Sequence, residues 1–314
     1  MNTRMVADVG GTNTRIALYD PKTDQFLGLK TYINRDYPEF EQIIESWLGS
    51  QKEDRPTHGC IAVAAAPSND LVTMLNMDWS FSCSQLASRC GFTSFKWVND
   101  FAAIAHALSH LKPQDRHLLH PGQQHQHQKW AAVGPGTGLG GATLEIADGG
   151  THVGAAEPGY TGLSPGSKLE LELFELLLSS YPTIYAELLI SGPGLQRLYT
   201  ALGEIHGGKV LTMSPSEIAV AAQEGTDECC VLALQTFCAL LGSACGDFVL
   251  SSGAYGGLYL AGGIIPKMID FLNESEFHSR FCQKGGMSRH LTDVPVYVIT
   301  AQQPGLIGAA HVPL

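Results

Sequence analysis

Charge is the first scarcity in this chain. Lys, Arg, Asp and Glu make up 16% of the 314 residues, against about 25% in average proteins. Basic groups are scarcer still, at 19 against 30 acidic ones, for a net charge of −11. A general nucleic-acid binder presents a basic surface to phosphates, so no nucleic-acid partner is expected. An acidic enzyme with local anion sites stays open. No uninterrupted apolar run reaches about 18 residues, so no membrane span is expected. The opening MNTRMVADV lacks a basic-then-apolar leader, which makes the cytoplasm the expected address. The eight cysteines include no C-x-x-C pair, and most sit in apolar stretches such as ALQTFCALLGSAC. They read as small buried hydrophobes of a reducing compartment. There is no G-x-x-x-x-G-K-[ST] loop and no G-x-y period, which removes P-loop and collagen architectures. An apolar content of 44% removes disorder.

Glycine is what the chain has in excess. It carries 35, where average usage of about 7% gives roughly 22. Nine of them fall in three short stretches: Gly10 and Gly11; Gly134, Gly136, Gly138, Gly140 and Gly141; Gly262 and Gly263. The first stretch follows an apolar strand, Arg4–Val9, and leads into a second strand, Thr14–Asp20, rather than a helix. That order argues against a dinucleotide-binding turn. RMVADVGGTNTRIALYD and KWAAVGPGTGLGGATLEIAD share one plan: apolar strand, Gly/Thr turn, second apolar strand ending in Asp. The pair reads as an internal duplication. Such turns bring backbone N–H groups close to an anion without side-chain obstruction, and two of them could grip a polyphosphate.

The remaining elements follow from period and caps. Residues after Pro38 form a helix with Phe40, Ile43, Ile44 and Trp47 on one face. Cys60–Ala66 and Phe95–Val98 read as strands, and Phe101–Leu111 as a helix entered from Asn99-Asp100. Ser82–Gln85, Ser167–Glu170 and Ser214–Glu217 carry capping-box patterns. Asp227–Leu250 has the length and apolar density of a core helix. Gly257–Ala261 and Val294–Ile299 are late strands. Lys112–Gln128, rich in His, Gln and Pro, reads as a surface connector, with His117, His120, His125 and His127 as solvated residues rather than metal ligands.

Six segments in order, DVGGTNTR (8–15), VNDFAA (98–103), GPGTGLG (134–140), AELLISGPGL (186–195), LAGGIIP (260–266) and QPGLIGAAH (303–311), resemble bacterial glucokinases of the hexokinase-like group in the sugar kinase/Hsp70/actin superfamily. The resemblance spans nearly the whole chain. It implies an α/β fold of two ribonuclease-H-like (actin-like ATPase) domains, each a mixed sheet flanked by helices, with the ligand cleft between them. The small domain is expected at 1–110 plus 300–314 and the large one at 111–299. ATP, Mg²⁺ and a small-molecule sugar are the expected ligands, and a homodimer the expected assembly.

The resemblance also assigns roles. Asp100 is the general base that accepts the proton of the sugar 6-hydroxyl as it attacks the γ-phosphorus. Asn99, Glu157, Tyr160, Glu187 and Asn76 bind the sugar, polyol hydroxyls being donors that suit carboxylate acceptors. Trp79, near Asn76, reads as core. Asp8 orients Mg²⁺, directly or through water. Gly10, Gly11 and Thr12 form one phosphate loop, Gly136, Thr137 and Gly138 the other, and Gly262 and Gly263 approach the adenosine. The clustered Cys/His zinc motif of the related ROK kinases is not present. One stretch departs from the family: Ala156-Glu157-Pro158-Gly159-Tyr160 stands where G-E-G-G-H is typical. Tyr donates and accepts like His but with different reach and bulk, and Pro fixes φ and removes an N–H. A kinase for another hexose or an amino sugar is therefore the alternative. A non-catalytic sugar sensor is the third reading, disfavoured by the presence of Asp100.

Overall fold

The computed structural model describes residues 3–51, 55–65, 68–74, 77–123, 128–208 and 210–314. The chain divides into two compact units, Met1–Lys112 with Ala301–Leu314, and Pro113–Thr300.

The first unit is built on the hairpin β1 (Arg4–Val9) and β2 (Asn13–Asp20), extended by β3 (Gln25–Ile33). Helix α1 (Phe40–Ser50) leads to β4 (His58–Val63), which runs parallel to β1. A small pair, β5 (Leu71–Thr73) and β6 (Ser80–Ser82), precedes helix α2 (Cys83–Cys90). Strand β7 (Ser94–Asn99) then pairs in parallel with β4 and runs into helix α3 (Asp100–Ala107). The sheet order is β3-β2-β1-β4-β7. Strand alternation sends Met5, Ala7 and Val9 to one face, where they meet Phe40, Ile43, Ile44 and Trp47 of α1. Trp79 is buried in the same cluster, as the sequence suggests. Val6, Cys60 and Ala62 face the other way, onto Ala103 of α3 and Leu306, Ala309 and Ala310 of the C-terminal helix (Pro304–His311). The central strands β1 and β4 are thus covered on both faces, while the edge strand β3 is exposed.

The second unit repeats the arrangement. Strand β8 (Arg116–His120) is followed by β9 (Lys129–Pro135), β10 (Leu139–Ala147) and β11 (Gly150–Ala156), the last three an antiparallel meander. Helices α4 (Lys168–Leu178), α5 (Ala186–Leu189), α6 (Gly192–Ile205), α7 (Pro215–Glu224) and α8 (Glu228–Ser252) come next. Strand β12 (Gly257–Leu260), three short helices, α9 (Ile269–Glu274), α10 (Phe277–Cys282) and α11 (Ser288–Thr292), and β13 (Val296–Ile299) complete it. The order β11-β10-β9-β12-β13-β8 contains the same meander-then-parallel succession as the first sheet, with β8 added at the edge. The two sequence halves read as a duplication thus have one topology.

Helix α8 is apolar enough to cross a bilayer by composition, with a mean hydropathy of 1.8 over its best window, but 67% of that window is buried inside the protein. Leu234, Phe237, Leu241 and Val249 are core residues of the second unit, as expected of a core helix. All eight cysteines are free thiols, six of them buried.

Two expectations are corrected. The segment read as a solvated connector contains β8, whose Arg116, His117, Leu118 and His120 pair with β13. His120 is no surface residue: its ring stacks on His278 at 3.9 Å, and burial, aided by the neighbouring His278, pushes its pKa down to about 4. The polar alternation of an edge strand hides it among loop residues. His125 and His127 lie outside the described residues. The second correction concerns the caps. At Ser214 the box closes in both directions, Ser214 Oγ accepting from Glu217 N–H and Glu217 accepting from Ser214 N–H. Ser167 does cap α4, but the Glu170 carboxylate is drawn elsewhere: it accepts from Gly166 N–H at 2.5 Å and pairs twice with Arg280, at 2.5 and 3.0 Å.

Glu170 and Arg280 are only 3% and 7% exposed. Removing one partner leaves a buried charge uncompensated, which costs about 3–5 kcal/mol, whereas an apolar pair of similar volume is close to neutral. Arg280→Ala should therefore lower unfolding stability by about that amount, and Glu170→Leu with Arg280→Met should recover most of it. Urea denaturation followed by circular dichroism measures both.

Candidate active site

In the first unit the residues singled out by sequence collect at the carboxyl ends of β1 and β7, where parallel-stranded sheets commonly hold ligands. The turn after β1 contains Gly10, Gly11 and Thr12 and closes through Gly10 N–H to Asn13 O at 3.1 Å. A residue that sequence reasoning missed pins it. Asn34, 1% exposed, donates from Nδ2 to Gly10 O at 2.7 Å and from its backbone N–H to Thr12 O at 2.9 Å. Its Oδ1 accepts from Thr14 Oγ1–H at 2.8 Å. No motif announces it, because it acts across the β2–β3 hairpin.

Asp8 precedes the turn on β1, paired in register with Arg15. Burial holds its carboxyl above the usual range, while the Arg15 guanidinium at 3.7 Å pulls the other way. The carboxylate lies against the first turn of the C-terminal helix: a Cβ at Gly305 would stand 2.9 Å from its Cγ.

The junction of β7 and α3 brings two polar neighbours to one backbone amide, that of Phe101. Asn99 is the N-cap, its Oδ1 accepting from Phe101 N–H at 2.9 Å and Ala102 N–H at 3.2 Å, while its Nδ2 donates to Ala65 O at 3.0 Å. Asp100 is the first helical residue, with Oδ1 accepting from Phe101 N–H at 3.0 Å. Asn76, expected at a sugar, lies outside the described residues.

In the second unit the matching turn after β9 carries Gly136, Thr137 and Gly138. Gly136 N–H donates to Gly138 O at 2.7 Å, and Gly136 O accepts from Gly192 N–H, at the start of α6, at 2.8 Å. Gly262 and Gly263 follow β12, beside this turn: Ala261 N–H donates to Val133 O at 2.8 Å. Gly262 has φ +87°, and a Cβ there would collide with Pro135 O.

The same unit brings Glu157, Tyr160 and Glu187 together. Glu187 Oε2 accepts from Leu139 N–H at 2.9 Å, and its Oε1 accepts from Tyr160 O–H at 3.3 Å. Burial and the charge of Glu187 raise the Glu157 carboxyl pKa. The charge of Glu187 is also the main cause that raises the Tyr160 phenol. Pro158 and Tyr160, the two departures from the family stretch, belong to a short 3₁₀ turn, Pro158–Tyr160. Pro158 is buried, whereas Tyr160 is 60% exposed and stacks on Tyr185 with ring centroids 5.7 Å apart.

Gly138, read from sequence as a phosphate-loop residue, also touches this carboxylate cluster. A Cβ on it would stand 2.5 Å from Glu187 Oε2, whereas a Cβ on Gly136 meets nothing within 4 Å. Gly138→Ala should therefore displace the Glu187 carboxylate and release Leu139 N–H. Amide hydrogen exchange at Leu139 is expected to quicken about tenfold or more, the scale of losing one charge-assisted bond. Gly136→Ala should leave it unchanged.

Comparison with known proteins agrees with this arrangement. The family model described as Glucokinase matches residues 5–313. A glucokinase of Colwellia psychrerythraea is 37% identical over 315 residues, covering 98% of this chain and 94% of that protein. The crystal structure of a glucokinase from an Antarctic psychrotroph superposes with a TM-score of 0.89 at 34% identity, covering 99% of this chain and 98% of the other. A ROK family glucokinase from Streptomyces griseus, solved with glucose and AMPPNP, shares the fold at a TM-score of 0.66 and 18% identity, with 98% of each chain covered. The mixed sheets flanked by helices are thus those of the sugar kinases, and with the matches extending from end to end, this chain belongs to the glucokinase family.

Proposed function

We propose that the protein is an ATP-dependent hexose kinase that converts D-glucose to D-glucose 6-phosphate. The observation that carries the reading is the end-to-end match to the glucokinase family, with Asn99 and Asp100 together at the head of α3. Asn99 supplies the helix cap, the structural duty that most often explains a polar residue at such a junction. Asp100, beside it at the first helical position, is the general base. It accepts the proton of the 6-hydroxyl as that oxygen forms its bond to the γ-phosphorus and the bond to the ADP oxygen breaks.

Phosphoryl transfer needs positioning and charge stabilisation more than covalent chemistry from the protein. The backbone amides of Gly10–Thr12 and Gly136–Gly138 suit the phosphates, and Gly262 and Gly263 leave room for the flat adenosine. Glu157, Glu187, Tyr160, Asn99 and Asn76 orient the sugar. Among the described residues no group of three or more His, Cys, Asp or Glu could cage a metal ion. Mg²⁺ is commonly held by one or two carboxylates together with substrate phosphates, and Asp8 fits that mode, directly or through water. When bound, the ion would supply charge neutralisation at the phosphates. The eight free thiols suit a cytoplasmic enzyme, and a homodimer is the assembly that accompanies this reading.

Asp100→Asn should lower kcat by about 10²–10⁴-fold while glucose binding largely survives. A coupled ADP-release assay with glucose titration measures both, and near-normal turnover removes Asp100 from the role of base.

Tyr160 favours a second reading, a kinase for another hexose or an amino sugar, because its hydroxyl already holds Glu187. ADP release with glucose, mannose, fructose and glucosamine decides. Glucose is expected to give the highest kcat/KM, and a clear preference for another sugar establishes the alternative.

A further inference from the structure

Helix α5 carries Glu187 and is only 4 residues long. A single helical turn is unfavourable by itself, so its shape depends on what meets its carbonyls. Ala186 O accepts from Ile190 N–H at 2.8 Å, in the regular helical manner. The next two carbonyls are met by side chains instead. Glu187 O accepts from Ser191 Oγ–H at 2.8 Å, and Leu188 O accepts from an N–H of the Arg197 guanidinium. The regular donor to Leu188 O is the amide four residues on, Gly192 N–H. That amide is committed to Gly136 O in the second glycine turn, at 2.8 Å. Arg197 thus stands in for a backbone amide that the glycine turn has taken.

Its setting suits that duty. Arg197 lies on α6 and is half-buried. Its Nε donates to Tyr181 Oη at 2.9 Å, and the guanidinium carbon stands 5.3 Å from the centroid of the same ring. Tyr181 therefore fixes one side of the planar fork while another N–H reaches Leu188 O. Without Arg197, Leu188 O would regain a donor most directly by drawing back Gly192 N–H. Gly136 O would then lose its bond, and the turn that leads into Leu139 would loosen, although Leu139 N–H is what holds Glu187 Oε2. We propose that Arg197 is a positioning residue for the transfer reaction. By supplying Leu188 O it steadies the helix of Glu187 and leaves Gly192 N–H to the glycine turn, so one side chain sets sugar and nucleotide affinity together. The inference rests on the hexose-kinase reading for the ligands that Glu187 and the turn serve.

The test compares the full-length protein with Arg197→Met, which keeps much of the side-chain packing, and Arg197→Lys, which keeps a charged donor. Amide hydrogen exchange is followed at Leu139 without ligands, with Leu258 N–H, bonded to Pro295 O in the core sheet, as the reference. In Arg197→Met, exchange at Leu139 is expected to quicken relative to Leu258 by about tenfold or more, the effect of losing a charged hydrogen bond. In steady state KM for glucose and KM for ATP should both rise by about that factor, and Arg197→Lys should recover most of each loss. A residue that only stabilises the fold gives another pattern. It quickens both amides alike, and it lowers apparent kcat through a smaller folded fraction while both KM values stay unchanged. Either of those results overturns the proposal. Failure of the kinase reading shows separately, as wild-type protein that releases no ADP with any hexose, since the exchange measurement needs no turnover.

Discussion

A glycine turn that offers its amides to a ligand cannot hold its own shape, and the rest of the site depends on how that is overcome. Each peptide in such a turn loses more conformational freedom on ordering than one bearing a side chain. The restraint must come from another part of the chain. In the first unit it is the Asn34 side chain, which ties Gly10 and is itself fixed by Thr14. In the second it is the Glu187 carboxylate on Leu139 N–H, with Gly192 N–H on Gly136 O. Both anchors are polar groups that bond backbone and a neighbouring side chain.

The two units solve one topological problem with different chemistry. Their sheets share a strand order, and in both the turn after the first strand of the meander lies beside a parallel strand. In the first unit the anchor is a neutral amide, that of Asn34. In the second the anchor is itself a carboxylate, and its charge raises Glu157 and Tyr160. A duplicated scaffold thus carries a neutral anchor in one half and a charged one in the other.

Much of this is legible in the sequence because it is local. The β1–β2 and β9–β10 hairpins announce themselves by apolar strands around Gly/Thr turns. The helix of Phe40, Ile43, Ile44 and Trp47 follows from its period, and the Ser214–Glu217 box closes as its spacing says. What escapes is decided by distant partners. Glu170 sits three residues after a capping serine, yet Arg280, 110 positions away, claims its carboxylate. Strand β8 exists because β13 offers it an edge, and its own His-rich composition points to a loop. Asn34 carries no signal of its own, since its importance lies in reaching back to a turn more than twenty residues earlier. The resemblance to a kinase family supplied the roles, but it gave no hint that Gly138 would be pressed against Glu187.

The contacts of Glu187 also set a count. An ionised carboxylate offers about four lone-pair positions. Leu139 N–H occupies one on Oε2 and Tyr160 O–H one on Oε1, which leaves about two. Any further donor that reaches this group meets an acceptor already half spent, with about one position left on each oxygen and the phenol of Tyr160 holding one of the others.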